Sequence, residues 1–268
     1  MRSSDLQENI KKSGEPMLKV FIGFDERQRV SFTTLAASIY ELSSKPIAIT
    51  PLILKTLPIT RRGLTPFTYS RFLVPWLCGF EGQAVFLDAD MLLLSDINEV
   101  VLEMESHHAI GVVTDIAKFE QTSFAVFNCA HPSNKILTPD YIQSTSDNLH
   151  AIEWLNEEEV CGLHSKWNQL VGYQNIDPSA GNLHFTMGIP AYPETSTCPH
   201  SEYWSAQLKV ATSSVPWEEI MGTSVHAIDI DGVKFPKYVW NLEKNQPNPP
   251  HLNLIKQLIA AKKGNDQT

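Results

Sequence analysis

The chain has 268 residues, of which 43% are hydrophobic and 19% are charged, and its formal net charge at pH 7 is −9. This composition is typical of a globular protein with one large domain or two small ones. The negative charge disfavours a groove that binds nucleic acid, and no apolar stretch reaches the roughly 18 residues of a membrane span.

The cysteines and the N-terminus bear on the compartment. The four cysteines lie far apart in the sequence and form no Cys-x-x-Cys pair. Residues 1–16 are polar and lack the apolar segment of a secretory signal, so we expect a flexible tail. Together these features predict reduced thiols in a cytoplasmic protein.

The next part of the chain predicts an α/β fold. Residues 17–24 and 46–54 have the pattern of strands, and residues 30–42 have the pattern of a helix with one apolar side. A strand, a helix and a strand in this order indicate a parallel crossover unit. Asp25 follows the first strand directly, where it either caps the next helix or contacts a ligand at the edge of the sheet.

The segment 65–76 (TPFTYSRFLVPW) predicts a second helix, with Thr65 as its cap and Pro66 in its first turn. Its apolar stripe consists of Tyr69, Phe72, Leu73 and Trp76. Arg71 is its one charged residue, and an arginine in such surroundings needs an anionic partner. That partner is either a structural carboxylate or a bound phosphate.

Two aspartates follow the short apolar run Val85–Leu87, which suits a strand buried on both faces. Asp88 and Asp90 are separated by one residue, and side chains at i and i+2 of a strand point the same way. Ordinary loop carboxylates would also give this short motif. Adjacent carboxylates repel each other unless a cation lies between them, and oxygen ligands suit Mg²⁺ or Mn²⁺ completed by substrate phosphates.

The second half of the chain adds further elements to the expected fold. A helix should open at Asp96, and His184 should lie at the end of a short strand, as a structural histidine or as a ligand. Further strands are predicted at 109–114 and 123–127, and further helices at 138–142, 151–160 and 202–210.

The C-terminus is predicted to carry a Pro-rich linker and an amphipathic helix. The expected organisation is therefore a tail at 1–16, one α/β domain at 17–240, and the linker with its helix at 241–268. The sequence lacks the Gly-rich phosphate loops of kinases and dehydrogenases, the Gly-x-Ser-x-Gly elbow of hydrolases and the His-Glu-x-x-His motif of zinc proteases.

Four segments in this order carry a resemblance to a known family: VFIGFDER, TPFTYSRFLVP, VFLDADMLLLSDI and LHFTMG. The chain resembles the family-eight retaining glycosyltransferases of GT-A fold, particularly the bacterial members, from about Lys19 to Trp204. FAVFNCAHP and SKWNQLVG are also similar to segments of those members. The chain departs from the family at HFTMGIPAY, which lacks the usual lysine, and the Asp-Gln-Asp segment of the sugar site is not recognisable.

The resemblance implies a single GT-A domain with a mixed, mainly parallel sheet flanked by helices. It implies that Asp88, Asp90 and His184 bind Mn²⁺ or Mg²⁺, and that Asp88, Asp90 and Arg71 serve catalysis. The implied contacts to the nucleotide sugar are Phe24, Asp25, Arg71, Leu87, Asp88, Ala89, Asn128 and Gly188.

The function that the resemblance implies is the transfer of a hexosyl group from a nucleotide sugar, of the UDP type, to a carbohydrate or other hydroxyl acceptor. The anomeric configuration would be retained. No residue stands out as a covalent nucleophile, so we expect front-face attack by the acceptor, assisted by the leaving phosphate.

Three alternatives remain. A haloacid-dehalogenase-type phosphatase is disfavoured because Leu92 occupies the place of its usual Thr or Val, and because its motif normally follows the first strand. A sugar nucleotidyltransferase should carry a Gly-rich loop after the first strand, and 24–29 contains no glycine. A non-catalytic nucleotide-sugar-binding protein of the same fold stays open, because the HFTMGIPAY segment is altered.

Overall fold

The structure is a computed structural model that describes residues 17–216, 219–220 and 224–265. The predicted tail at 1–16 lies outside the described residues. The chain divides into two units, the first ending at Ala211 and the second beginning at Thr212.

The strands of the first unit form a large and a small sheet. They are β1 (Leu18–Gly23), β2 (Ile47–Leu52), β3 (Gln83–Leu87), β4 (Met91–Leu93), β5 (Ile110–Val112), β6 (Phe124–Asn128), β7 (Val160–Gly162), β8 (Gln169–Leu170) and β9 (Asn182–His184). The large sheet has six strands in the order β2-β1-β3-β6-β5-β7, and β6 runs against the other five. The mixed, mainly parallel sheet predicted from the sequence is thus confirmed.

The helices of the first unit cover both faces of the large sheet. The α-helices are α1 (Arg29–Leu42), α2 (Val74–Leu77), α3 (Lys118–Gln121), α4 (Pro139–Ser144) and α5 (Ser201–Ala211). Short 3-10 helices lie at Glu26–Gln28, Leu54–Thr56, Ser70–Leu73, Ile97–Glu103, Pro132–Ile136, Leu149–Ala151, Glu157–Glu159 and Ser165–Trp167.

The apolar runs in the central strands are continuous because both faces of the sheet are buried. Phe21 and Phe86 point into the core on one face, together with Phe72. Val20 and Val85, their neighbours along the strands, point to the opposite face, where they share a core with residues of α1. Alternating side chains of one strand therefore build two separate cores, which fixes the strand ends where the site lies.

Two predicted helices differ from the structure. The segment 65–76 is not one helix, because Pro75 lacks an N–H and lies in the first turn of a new short helix, α2, which follows a turn and a 3-10 helix. Trp76 accordingly lies on the surface, with 37% of it exposed. The helix predicted at 151–160 is also wrong: Ile152 has a left-handed backbone conformation with φ 60°, which ends the first helical turn there.

The small sheet of the first unit brings distant segments together. Its order is β4-β9-β8, and β4 pairs antiparallel with β9 so that Met91 lies opposite His184. The strand β4 begins directly after Asp90. The pairing therefore places His184 at the end of the Asp88–Asp90 segment, although His184 lies 94 positions after Asp90 in the chain.

The described residues of the second unit include two hairpins and a C-terminal helix. Its elements are β10 (Ala227–Ile230), β11 (Val233–Pro236), β12 (Trp240–Asn241), β13 (Gln246–Pro247) and α6 (Leu252–Asn265), with 3-10 helices at Lys237–Val239 and Pro249–His251. Val233, Phe235, Val239 and Ile255 form its small core. The sequence predicted the helix but placed a boundary at 240/241, inside this unit. Among the described residues, no helix combines the length and the apolar character that crossing a membrane requires.

Candidate metal centre

The two aspartates of the motif lie in a turn between β3 and β4. The backbone N–H of Asp88 donates to the carbonyl of Ser123 at 2.8 Å, and the carbonyl of Asp90 accepts from the N–H of Phe185 at 2.8 Å. A turn held at both ends, rather than the alternation of a strand, therefore brings the carboxylates to the same side.

His184 completes the group. One ligand atom each from Asp88, Asp90 and His184 lies within 4.8 Å of the others. The imidazole Nε2 is 3.4 Å from Asp90 Oδ1, and the histidine is almost entirely buried. The three residues that the sequence predicted as metal ligands are thus brought together, although they come from two separate segments.

The residues present fit a divalent cation. Asp88 Oδ1 and Asp90 Oδ1 are buried and accept no hydrogen bond of good geometry, although Arg71 Nη2 lies 2.9 Å from the first and His184 Nε2 lies 3.4 Å from the second. Buried carboxylate oxygens normally accept hydrogen bonds, so two that accept none beside an imidazole nitrogen suit a cation as a further partner. Two carboxylates and one neutral imidazole form a donor set that suits Mn²⁺ or Mg²⁺.

Arg71 balances part of the negative charge. Its Nη2 donates a hydrogen bond to Asp88 Oδ2 at 3.2 Å. The same nitrogen forms an ion pair with Asp88 Oδ1 at 2.9 Å. The guanidinium also donates to the carbonyls of Thr122 and Phe67, at 2.9 and 3.4 Å. Only 5% of Arg71 is exposed, so its nitrogens are committed to protein groups. The anionic partner that the sequence predicted is therefore the structural carboxylate of Asp88.

Asn168 fixes the orientation and tautomer of His184. The amide nitrogen of Asn168 donates to the Glu120 carbonyl and to Ser123 Oγ, both at 3.0 Å. Its oxygen is left to accept from His184 Nδ1 at 2.9 Å. An imidazole that donates through Nδ1 has its lone pair on Nε2, which faces Asp90, and such partners typically orient metal ligands. Sequence reasoning missed Asn168, since SKWNQL carries only a loop signal.

Burial and the neighbouring charges shift the pKa values of Asp88 and His184. Burial raises the pKa of Asp88 to about 7, although Arg71 opposes this shift, and Asp90 adds to it. Burial alone would lower the pKa of His184, but the carboxylates of Asp90, Glu120 and Asp88 raise it above its ordinary value. Protons are therefore held where a cation would bind.

Mn²⁺ affinity should depend on pH, because a metal ion must displace these protons. Below about pH 7 the Asp88 carboxyl is protonated in the metal-free protein, so the dissociation constant should rise as pH falls, by up to about tenfold per pH unit for each proton displaced. Calorimetric titration with Mn²⁺ between pH 6 and 8 measures both the affinity and the protons released. An affinity that stays constant across this range would contradict the assignment of Asp88.

Asn168→Ala should weaken Mn²⁺ binding by roughly 10- to 100-fold, because it removes the group that orients the His184 ring. Asn98→Ala is the matched control, since Asn98 is also a buried asparagine, hydrogen-bonded to Ser43 and Asp96. Both variants should lose some stability, but only Asn168→Ala should change the calorimetric dissociation constant. Equal Mn²⁺ affinities in the two variants would show that Asn168 has a purely structural role.

A pocket of about 380 Å³ opens where β1 and β2 end. Asp25 and Phe24, both predicted to contact the nucleotide, line it, together with Arg62. Asp25 caps the 3-10 helix that follows, and Arg27 binds both of its oxygens, which lowers the pKa of the Asp25 carboxyl. The predicted capping role of Asp25 is thus present, and the same residue lies on a cavity.

The pocket wall and the metal centre belong to one continuous segment. Residues 62–66 line the pocket, Phe67 follows, and Arg71 reaches Asp88. The ring of Phe67 lies 2.5 Å from where a side chain on Gly23 would begin, so only glycine allows this approach. The end of β1 therefore positions both the pocket wall and the arginine.

Asn128 was predicted at the ligand edge of the sheet, and the structure corrects this. Because β6 runs antiparallel to β3, Asn128 pairs with Gln83 at the beginning of β3, roughly 16 Å along the strand from Asp88. Its side chain donates to the carbonyls of Ser106 and His108. Asn128 is thus a structural residue at the opposite edge.

The remaining predicted residues are distributed around the site. The side chains of Leu87 and Ala89 are buried in the core, so only their backbone could face a ligand. Gly188 lies in the turn after β9 with φ 125°, a conformation that favours glycine.

His150, which the sequence did not single out, contacts Thr122 Oγ1 at 3.0 Å, and burial lowers its pKa to about 4.

Comparison with solved structures identifies the fold. The bifunctional glycosyltransferase WbbM matches 78% of the chain with a TM-score of 0.57 at 14% identity, and the chain spans about half (52%) of that protein. The glycosyltransferase GlyE of Streptococcus pneumoniae TIGR4 matches 82% of the chain and 65% of its own, with a TM-score of 0.52 at 14% identity. The galactosyltransferase LgtC, solved with donor and acceptor sugar analogs, matches 75% of the chain and 98% of its own, with a TM-score of 0.50 at 12% identity.

These three proteins share the α/β architecture described above, so the chain has the GT-A fold. No protein-family model matches the sequence. Among characterised sequences, Protein CDI of Arabidopsis thaliana is 30% identical over an alignment of 224 residues, and the match covers 71% of this chain and 86% of that protein. At this identity and coverage, the chain belongs to the same family as Arabidopsis Protein CDI.

Proposed function

We propose that this protein is a metal-dependent retaining glycosyltransferase that moves a hexosyl group from a nucleotide sugar to a hydroxyl acceptor. The observation that carries the proposal is the cluster of Asp88, Asp90 and His184 on a GT-A fold, in which two buried carboxylate oxygens accept no hydrogen bond of good geometry. Side chains arranged in this way suit the binding of a divalent cation, and such a cation would neutralise the charge of a diphosphate.

Asp88, Asp90 and His184 would hold the ion, Mn²⁺ or Mg²⁺. A bound divalent ion stabilises the negative charge that develops on the diphosphate as the sugar leaves. Arg71 holds Asp88 in place and limits the repulsion between the carboxylates. The resemblance to family-eight enzymes supports a UDP-sugar donor, retention of configuration and a carbohydrate or glycoconjugate acceptor.

The pocket at the ends of β1 and β2 is the proposed place of the donor nucleoside. Its volume of about 380 Å³ is in the range of small-ligand sites. Phe24 and Leu64 offer apolar contact, and Arg62 offers positive charge beside an anionic ligand. In open α/β sheets such ligands bind beyond the carboxyl ends of the strands, and this pocket lies in that place.

Incubation with a panel of nucleotide sugars and Mn²⁺ tests the proposal. We expect one donor to be hydrolysed slowly without an acceptor, with release of the nucleoside diphosphate, and we expect chelation of the metal to stop the release. Absence of both turnover and binding for every donor would refute the proposal.

A second candidate is a non-catalytic nucleotide-sugar-binding protein. The observation that favours it is the sequence from Phe185 to His200, which contains no lysine or arginine to contact the diphosphate. In the same panel, a donor that raises the melting temperature in the presence of Mn²⁺ but is never consumed would favour this candidate.

The proposal places the protein in the cytoplasm. Free thiols at all four cysteines, three of them buried, are in keeping with a reducing compartment.

A further inference from the structure

A third carboxylate lies behind the candidate metal centre. Glu120, on α3, is 8% exposed and is not one of the three candidate ligands. Its Oε2 is 3.8 Å from His184 Nδ1, on the side of the ring that faces away from Asp90. A buried carboxylate is costly without a partner of positive charge, and no lysine or arginine pairs with Glu120 among the ion pairs of the described residues.

Glu120 also organises the groups that contact the histidine. Its backbone carbonyl accepts from Asn168 Nδ2 at 3.0 Å and from Ser123 Oγ at 2.5 Å. Its Oε1 accepts from the hydroxyl of Thr186, two residues beyond His184, at 2.7 Å. The side of the imidazole that carries Nδ1 thus faces two neutral groups, Asn168 Oδ1 at 2.9 Å and Ser123 Oγ at 3.5 Å, and the Glu120 carboxylate slightly further away.

The charges around the site place Glu120 in the same electrostatic unit as the ligands. Asp88, Asp90 and Glu120 carry three negative charges when ionised, and Arg71 supplies one positive charge. With a neutral His184, the net charge is about −2, which one divalent ion would balance. Removing the charge of Glu120 should therefore lower the affinity of the site for a divalent cation, although Glu120 itself does not contact the cation.

We propose that Glu120 is a positioning residue whose carboxylate charge, acting through the His184 ring, strengthens the binding of the divalent ion. This inference rests on the proposed metal centre. A negative charge behind Nδ1–H increases the electron density that Nε2 offers to a metal, as carboxylates behind ligating histidines do in general. The hydrogen bond from Thr186 is made to the other carboxylate oxygen, Oε1, so the charge on the side of His184 does not depend on it.

Glu120→Gln tests the charge at nearly constant shape. We expect the calorimetric dissociation constant for Mn²⁺ to rise about tenfold or more at pH 8, which lies above the pKa of about 7 for Asp88. Thr186→Val removes the hydrogen bond but leaves the carboxylate, so its Mn²⁺ affinity should stay within about threefold of wild type. Glu99→Gln is the matched control, because Glu99 forms only an exposed pair with Lys166 and should leave Mn²⁺ affinity unchanged.

Glu120→Asp keeps the charge of the side chain but changes its packing, so it separates the two effects on Mn²⁺ binding. It also provides a test if the glutamine variant does not fold. The proposal expects a lower melting temperature but nearly wild-type Mn²⁺ affinity, whereas a packing role predicts that affinity falls with stability. Equal Mn²⁺ binding by wild type and Glu120→Gln overturns the role of Glu120 alone. Failure of the wild type to bind Mn²⁺ overturns the metal centre itself, so the two failures are distinguishable.

Discussion

Asp90→Asn should abolish the rise in melting temperature that Mn²⁺ produces in the wild type, and with it the turnover of any nucleotide sugar. Asp90 Oδ1 is a buried acceptor without a hydrogen-bond partner, and it lies 3.4 Å from His184 Nε2. An amide in its place provides a weaker, neutral ligand, so Mn²⁺ affinity should fall by more than the roughly 10- to 100-fold typical of outer partners. The metal-free variant should be at least as stable as wild type, because one of two adjacent carboxylates is neutralised.

Asp140→Asn is the control for this change, since Asp140 is exposed on α4 and far from the motif in sequence. Thermal unfolding with and without Mn²⁺ should show a metal-dependent shift for Asp140→Asn and for the wild type. A wild-type shift that persists in Asp90→Asn would contradict the role of this carboxylate.

Arg71→Met should destabilise the first unit by about 3–5 kcal/mol, because it breaks the ion pair of the buried Asp88 carboxyl. The separate nitrogens of the guanidinium contact Asp88, the Thr122 carbonyl and the Phe67 carbonyl, and the methionine replaces none of these bonds. In melting temperature, this loss corresponds to roughly 10 °C for a unit of this size. Arg71→Lys should recover only part of it, since one ammonium group cannot reproduce three separately directed contacts.

Arg61→Met is the matched control. Arg61 also donates to two carbonyls, those of Ile142 and Thr145, but it forms no ion pair with a buried carboxylate. We expect a loss of about 1 kcal/mol for it, measured by denaturant unfolding. A similarly small loss for Arg71→Met would mean that the arginine is free to contact a ligand directly, as the resemblance to family-eight enzymes implied.

The parts of the fold that the sequence predicted correctly are those with local causes. Strand β1 and helix α1 follow from apolar patterns within a few residues, and Asp88 and Asp90 are adjacent to a recognisable apolar run. His184 was placed at the site by its resemblance to a family motif, and the structure brings it to the carboxylates through the β4–β9 pairing. Local patterning cannot supply such pairings.

The errors have nonlocal causes. Asn128 ends a strand whose apolar pattern is the same whether it runs parallel or antiparallel, so its edge of the sheet could not be read from the sequence. Glu120 and Asn168 acquire their roles only from contacts with His184, at separations that no spacing rule covers. In 65–76, the turn chemistry of Pro75 overrode an otherwise helical pattern.

The most direct test of the metal centre is a titration of Mn²⁺ followed by electron paramagnetic resonance, in which free but not protein-bound Mn²⁺ gives the sharp signal. The account predicts one bound Mn²⁺ per wild-type chain, tighter binding when a nucleoside diphosphate is present, and loss of this site in both Asp90→Asn and His184→Ala. Wild-type protein that binds no Mn²⁺, or binds it equally well after either substitution, would contradict the account.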